Sequence, residues 1–314
     1  MEKTKILFTG IDNGGKSSII KFLKRELTLD QKSVPTIGDE ISIQALTLLG
    51  LSIIYWELGG QVLYRKKYFD DIFRYFSSTS LMICVIDIKD EKRYEESLEY
   101  LKTVLNNLKV VSAEEKANPK IMILFHKFDP NLMNKEDYEK KYEDLKKRIL
   151  DFNPFKEISF YKTSIYDGVS LIKAFSEAAI NLKGKTKLLQ NLLKEYCSKT
   201  FASAAMIFDK NFLVVDQRAT KETYFDIIQA FTLFFINGIE QLESHSIETI
   251  DVVSEIKFPG SDSKSTNNRG TIFIQKIDIG VRLYLVVLSR NPKTKKQAYE
   301  YLDYLAENLK KILS

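Results

Sequence analysis

"FTGIDNGGKSSII", Phe8 to Ile20, carries the spacing G-x-x-x-x-G-K-[ST], with Gly10, Gly15, Lys16 and Ser17 at the fixed positions. The apolar run "TKILFTG" before it reads as a buried strand, and "KSSIIKFLKREL" after it as a helix. A glycine turn between a strand and a helix is suited to phosphate. Gly14 and Gly15 let the backbone approach closely, and successive N–H groups converge at a helix start, where anions are favoured. Lys16 adds a point charge on the outer phosphates, and the Ser17 hydroxyl is a ligand for Mg²⁺.

Outward from this turn, strands and helices alternate. "EISIQALTLL" and "LSIIYWEL" read as two strands joined by a tight turn at Gly50. "LMICVIDI" and "KIMILFHK" are unbroken apolar runs, as strands covered on both faces require. "RYEESLEYLKTVLNNLKVV", "KEDYEKKYEDLKKRIL" and "GVSLIKAFSEAAINL" read as helices, and "ISFYKTSI" as a last strand. The pattern predicts an α/β domain over residues 1–183, with a mostly parallel six-stranded sheet. From residue 184 to 314 the order becomes helix, two strands, a long helix from Thr220 to Leu242, three strands and a terminal helix. That predicts a smaller α+β domain with an antiparallel sheet of about five strands. Ile250, Val252, Ile256 and Phe258 fall on one face of its third strand, and "PGSDSKSTNN" is a polar loop.

Composition narrows the classes. The chain has 314 residues, enough for two domains, with 44% hydrophobic and 28% charged residues, an ordinary globular balance. Its net charge of +5 comes from 47 basic and 42 acidic residues spread along the chain, which argues against a nucleic-acid partner. Two distant cysteines, Cys84 and Cys197, fit a reducing cytosol, and metal-ligand spacing is absent. No apolar run reaches the ~18 residues of a membrane span, no signal peptide is expected, and Glu2 stands where myristoylation needs glycine.

Further motifs narrow the nucleotide. "WELGGQ", Trp56 to Gln61, ends the third strand; its glycine pair can bring a backbone N–H to a γ-phosphate, and Gln61 can orient an attacking water. "VPTIG" puts Thr36 within reach of Mg²⁺. In "HKFD", His126 to Asp129, a carboxylate can accept two N–H bonds from a guanine edge while the stem of Lys127 covers the ring. Adenine lacks that donor pair, so Asp129 would select guanine. "TSI", Thr163 to Ile165, can offer a backbone N–H to the guanine carbonyl.

Over residues 1–183 these motifs in this order resemble a small GTPase of the Ras superfamily. "GIDNGGKSS", "VPTIG" and "WELGGQ" are similar to Arf-family proteins, whereas "HKFD", "KTSIYD" and the stretch from Tyr68 to Leu101 resemble the Rag, or Gtr, family. Rag proteins carry a C-terminal roadblock-type domain, and the element order of residues 184–314 is similar to it. The resemblance implies that Asn13, Gly14, Gly15, Lys16, Ser17 and Ser18 cradle the phosphates, that Ser17 and Thr36 hold Mg²⁺, that Gly60 senses the γ-phosphate, and that Gln61 positions water. His126, Lys127, Asp129, Ser164 and Ile165 would form the base site. One residue departs from the family: Glu57 stands where an Asp heads the D-x-x-G motif, which bears on Mg²⁺ affinity and hydrolysis.

The family further implies a cytoplasmic GTP/GDP switch with slow hydrolysis. It would pair through residues 184–314 as a homodimer or with a related GTPase, dock a roadblock-type scaffold near a membrane surface, and answer to activating and exchange proteins. Two alternatives stay open at this point: an Arf-like trafficking GTPase with an appended longin-type domain, and a nucleotide-binding scaffold with little hydrolysis.

Overall fold

β1, Thr4–Thr9, runs into the glycine turn, and α1, Lys16–Leu23, leaves it. This computed structural model describes residues 4–24, 41–48, 51–183, 187–247, 251–258, 269–278, 282–291 and 293–313. Thr36 and the loop around it, the turn at Gly50, Ile250 and the "PGSDSKSTNN" loop lie outside the described residues.

The chain divides into two compact units, Met1–Ala174 and Phe175–Ser314. The division falls within a helix, Gly168–Lys183, called α6 below. In the first unit, β2 (Ile41–Leu48) and β3 (Leu51–Leu58) form an antiparallel hairpin. β4 (Thr79–Asp87), β5 (Lys120–His126) and β6 (Ile158–Lys162) follow along the chain. The six-stranded sheet has the order β2-β3-β1-β4-β5-β6. Five strands run parallel, and β2 is an antiparallel edge. Strand order reverses around β1, so a crevice opens at the carboxyl ends of β1 and its neighbours, where such sheets bind ligands.

The unbroken apolar strands are buried on both faces: Leu81 to Ile86 and Ile121 to Phe125 are all in the core. α4, Tyr94–Glu114, and α5, Glu136–Phe152, add Leu98, Leu101, Leu105, Leu108, Leu145 and Ile149 to that core. Two helices were not expected from the sequence. α2, Val62–Asp70, and α3, Ile72–Phe76, fill the stretch after the "WELGGQ" turn. They lack an apolar stripe, yet Tyr68, Tyr75 and Phe76 are fully packed.

In the second unit α7, Lys187–Thr200, precedes β7 (Ala204–Asp209), β8 (Val214–Ala219), α8 (Thr223–Ser244), β9 (Asp251–Lys257), β10 (Arg269–Asp278), β11 (Arg282–Ser289) and α9 (Lys295–Leu313). The five-stranded sheet is antiparallel, in the order β8-β7-β11-β10-β9. Alternation along β7 and β11 sorts their side chains between the two faces. Ala205, Ile207, Leu285 and Val287 pack with Leu193, Tyr196, Leu302 and Leu305 of α7 and α9. On the other face, Tyr284 meets Glu240 of α8, and Arg282 meets Glu243. Val252, Ile256 and Phe258 are half-buried while Val253, Glu255 and Lys257 are exposed, which is the alternation read from the sequence.

Candidate functional site

The glycine turn is held open by backbone that other residues avoid. Gly10 sits at φ +131°, and a Cβ there would lie 2.4 Å from the Val85 carbonyl oxygen of β4. Gly15, the N-cap of α1, is left-handed at φ 101°, and a Cβ there would lie 2.4 Å from Cδ2 of His126. The turn is therefore pressed against β4 on one side and an imidazole on the other. Lys16 is folded back into it. Its Nζ donates to the carbonyls of Gly10 and Ile11, each at 3.0 Å, and burial lowers its pKa to about 8. A buried cation beside a glycine turn at the start of a helix suits an anion in charge. Ser18 is buried beside it.

The end of β3 closes one side. The Ser17 hydroxyl donates to Glu57 Oε1 at 2.6 Å, so hydroxyl and carboxylate meet directly. That pair of oxygen donors is of the kind a hard divalent cation takes. Gly60 rests on the turn: the Asp12 N–H donates to the Gly60 carbonyl at 3.1 Å, and a Cβ on Gly60 would lie 2.2 Å from that nitrogen. Gln61 follows with an exposed side chain at the start of α2.

The other side is built by the ends of β4, β5 and β6. His126 is 1% exposed; its Nδ1 lies 3.1 Å from Thr163 Oγ1, while its ring edge supports Gly15. Burial, helped by the Lys127 charge, lowers its pKa to about 4, so the ring is neutral at neutral pH. Lys127, at φ 60°, donates to the Asn13 carbonyl at 2.8 Å and to Asp87 Oδ2 at 2.7 Å. Asp129 Oδ1 accepts from the Ser164 hydroxyl at 2.6 Å, and Oδ2 pairs with Lys89. Ser164 is fully buried, Ile165 half-buried, and the Tyr166 N–H donates to Ser164 Oγ at 3.1 Å.

Asn13, Gly14, Gly15, Lys16, Ser17, Ser18, Gly60, Gln61, His126, Lys127, Asp129, Ser164 and Ile165 thus gather at one end of the sheet. Asp87 and Lys89 were missed by sequence reasoning. Their signal was positional, since Asp87 pairs in register with His126 and so ends its strand at the same level. Arg65 and Arg93, which meet Asp12, and Glu96, which holds both arginines, were missed as well.

The Gtr1/RagA G protein conserved region matches residues 5–244 of the chain. ADP-ribosylation factor-like protein alp41 of Schizosaccharomyces pombe is 29% identical over 185 residues, 58% of this chain and 87% of that protein. ADP-ribosylation factor-like protein 5 of Caenorhabditis elegans is 33% identical over 135 residues, 42% of this chain and 67% of that protein. Among solved structures, that of the Arl6 BBS3 small GTPase from Trypanosoma brucei with bound nucleotide analogue GppNp aligns with TM-score 0.46 and 14% identity, over 59% of this chain and all of that one. The chain belongs to the Gtr1/RagA G proteins: it is a Rag/Arf-like small GTPase of the Ras superfamily, which binds guanine nucleotide and hydrolyses GTP.

Proposed function

We propose that the protein is a regulatory switch, timed by slow GTP hydrolysis and paired through its second unit. One observation carries the nucleotide part of this reading. The turn that ends at Lys16 touches the base-side residues directly, through Gly15 on His126 and Asn13 on Lys127. A phosphate chain in the turn then leads to a base beside Asp129. In this reading the N–H groups from Asn13 to Ser18 and the Lys16 ammonium hold the α- and β-phosphates, and Gly60 contacts the γ-phosphate. Ser17 and Thr36 hold Mg²⁺, with Glu57 steadying the Ser17 hydroxyl. When bound, the ion offsets charge building on the phosphate oxygens. Gln61 orients the attacking water. Asp129 accepts the two guanine donors, braced by Ser164. Lys127 lies along the ring, the Ile165 N–H meets the guanine carbonyl, and neutral His126 is the strut beneath. Unaided turnover in such proteins is on the order of 10⁻⁴ s⁻¹, and a partner's arginine adds ~10⁵-fold, so activating and exchange proteins set the clock.

The pairing part rests on α8. Tyr224, Ile228, Ile236 and Ile239 are buried against the sheet. A second stripe, Ile227, Phe231, Phe234, Phe235, Gly238 and Leu242, flanks that buried face at helical spacing, with Phe231 and Phe235 half-buried and Phe234 and Leu242 exposed. Phe234 is 77% exposed, and Phe231 stacks on Phe235 with centroids 4.1 Å apart. A Cβ on Gly238 would meet nothing within 4 Å, room that a second helix can use. The order α7-β7-β8-α8-β9-β10-β11-α9 favours a roadblock-type domain, and the family match runs on to residue 244, which favours the Rag reading over an Arf-like protein with an unrelated addition. A roadblock-type scaffold, reached in the cytoplasm near a membrane surface, is the partner class this implies. No helix among the described residues is long and apolar enough to cross a membrane.

Two measurements test the reading. Titration of the full chain should give tight GTP and GDP binding and weak ATP binding; equal affinities for ATP and GTP would refute the base site. Light scattering at micromolar concentration should give a dimer, alone or on mixing with a related GTPase, and Phe234→Glu should abolish it. Its exposed position spares the fold. A wild-type chain that stays monomeric in both settings refutes the pairing.

A further inference from the structure

The turn that holds the phosphates carries a negative charge of its own. Asp12 lies at the Gly60 end of the turn, away from the Gly15 end that touches His126, because its N–H bonds to the Gly60 carbonyl. In the nucleotide reading above, on which this inference rests, that is the γ-phosphate end. A carboxylate there opposes a triphosphate more than a diphosphate. The structure answers this charge with two arginines. Arg93, in the short turn Glu91–Arg93 after β4, donates to Asp12 Oδ1 at 2.8 Å and to the Asp12 carbonyl at 3.3 Å. Arg65, on α2 and nearly buried, donates to Asp12 Oδ1 at 3.2 Å and to the Gly60 carbonyl at 2.6 Å. Glu96 holds both guanidiniums from α4, at 2.7 Å each. The four side chains sum to zero charge, and hydrogen bonding from Arg93 holds both Asp12 and Glu96 below the usual carboxylate range.

We propose that Arg93 and Arg65 are positioning residues that neutralise Asp12 and thereby set the preference of the site for GTP over GDP. Arg65 does a second task, since it also fixes the Gly60 carbonyl and so the turn that carries Gln61. Arg93 makes no bond to Gly60 among the described contacts but does meet the Asp12 carbonyl, so restoration by Asp12→Asn is what separates the charge from the turn geometry.

The test is titration of the full chain with fluorescent GDP and with a non-hydrolysable fluorescent GTP analogue. Arg93→Gln should weaken the GTP analogue by roughly threefold to tenfold relative to GDP, the scale of one partly screened charge. That difference should shrink at about 0.5 M salt, as a purely structural defect would not. Asp12→Asn in the Arg93→Gln background should restore the ratio. Asp12→Asn alone should shift the ratio toward the triphosphate. Equal loss for both nucleotides, or no restoration by Asp12→Asn, overturns the proposal. Lys16→Ala in the same titration separates the two readings. If it binds both nucleotides like wild type, the phosphate site itself is misplaced and this inference falls with it. If it loses both while Arg93→Gln leaves the ratio unchanged, only this inference falls.

Discussion

His126 should make the nucleotide-binding unit sensitive to acid in a way that one substitution removes. The ring is buried, and that burial, with the neighbouring Lys127 charge, takes its pKa from 6.5 to about 4 in the folded chain. An unfolded histidine takes a proton below about pH 6.5, whereas the folded one stays neutral until about pH 4. In that window the unfolded chain binds more protons, so stability rises with pH and is lost as pH falls. One pKa unit is worth about 1.4 kcal/mol, so this group removes about 2 kcal/mol between pH 7 and pH 5, after which the loss continues toward pH 4 and levels off. His126→Asn keeps a neutral polar group and does not titrate. The assay is urea unfolding followed by tryptophan fluorescence, because the chain has one tryptophan, Trp56, and it lies in β3 of this unit. Both proteins should be measured at pH 7 and pH 5 in the same GDP concentration. The wild type should lose about 2 kcal/mol more than His126→Asn, since the carboxylates titrate alike in both. Equal losses, within about 0.5 kcal/mol, would mean that the ring is not the buried neutral strut described here.

Gln61→Leu should leave both nucleotide affinities within about twofold of wild type and slow GTP turnover on the order of 10²-fold, read by phosphate release, because in the proposed reading the side chain meets the attacking water alone. Asp129→Asn should weaken GDP by at least tenfold and improve binding of xanthosine diphosphate, whose extra carbonyl an amide can meet; a competition titration reads both. Lys5 is buried, donates to the carbonyls of Tyr75 and Ser77 at 2.8 and 2.9 Å, and lies over the Trp56 ring. Lys5→Ala should therefore cost about 2 kcal/mol in the same urea assay, since two carbonyls at the end of α3 lose their donor.

What the sequence disclosed was whatever has a local signature. The glycine turn needs backbone that only glycine adopts cheaply, so Gly10 and Gly15 announce it. β4 and β5 lie under helices on both faces, so they read as unbroken apolar runs. The breadth of the apolar surface on α8 was legible too, and the structure divides it into a buried face and a half-buried flank from which Phe234 and Leu242 are exposed. What stayed hidden is held by distant partners. Arg65 reaches Asp12 across 53 positions of sequence and Arg93 reaches it across 81, and no window of residues records such a pair. α2 and α3 escaped for a related reason. Their buried residues are Arg65, Tyr68, Tyr75 and Phe76, and an arginine buried by its ion pairs breaks the periodicity that would mark a helix face. Glu57 shows the same limit from the other side. The sequence marks it as a departure from Asp, and the added methylene, about 1.5 Å, reads as a misfit. In the fold the carboxylate meets the Ser17 hydroxyl directly, at 2.6 Å. A substitution that looks like a defect along the chain is a closed contact in space, because the distance it spans is set by β3 and α1 together.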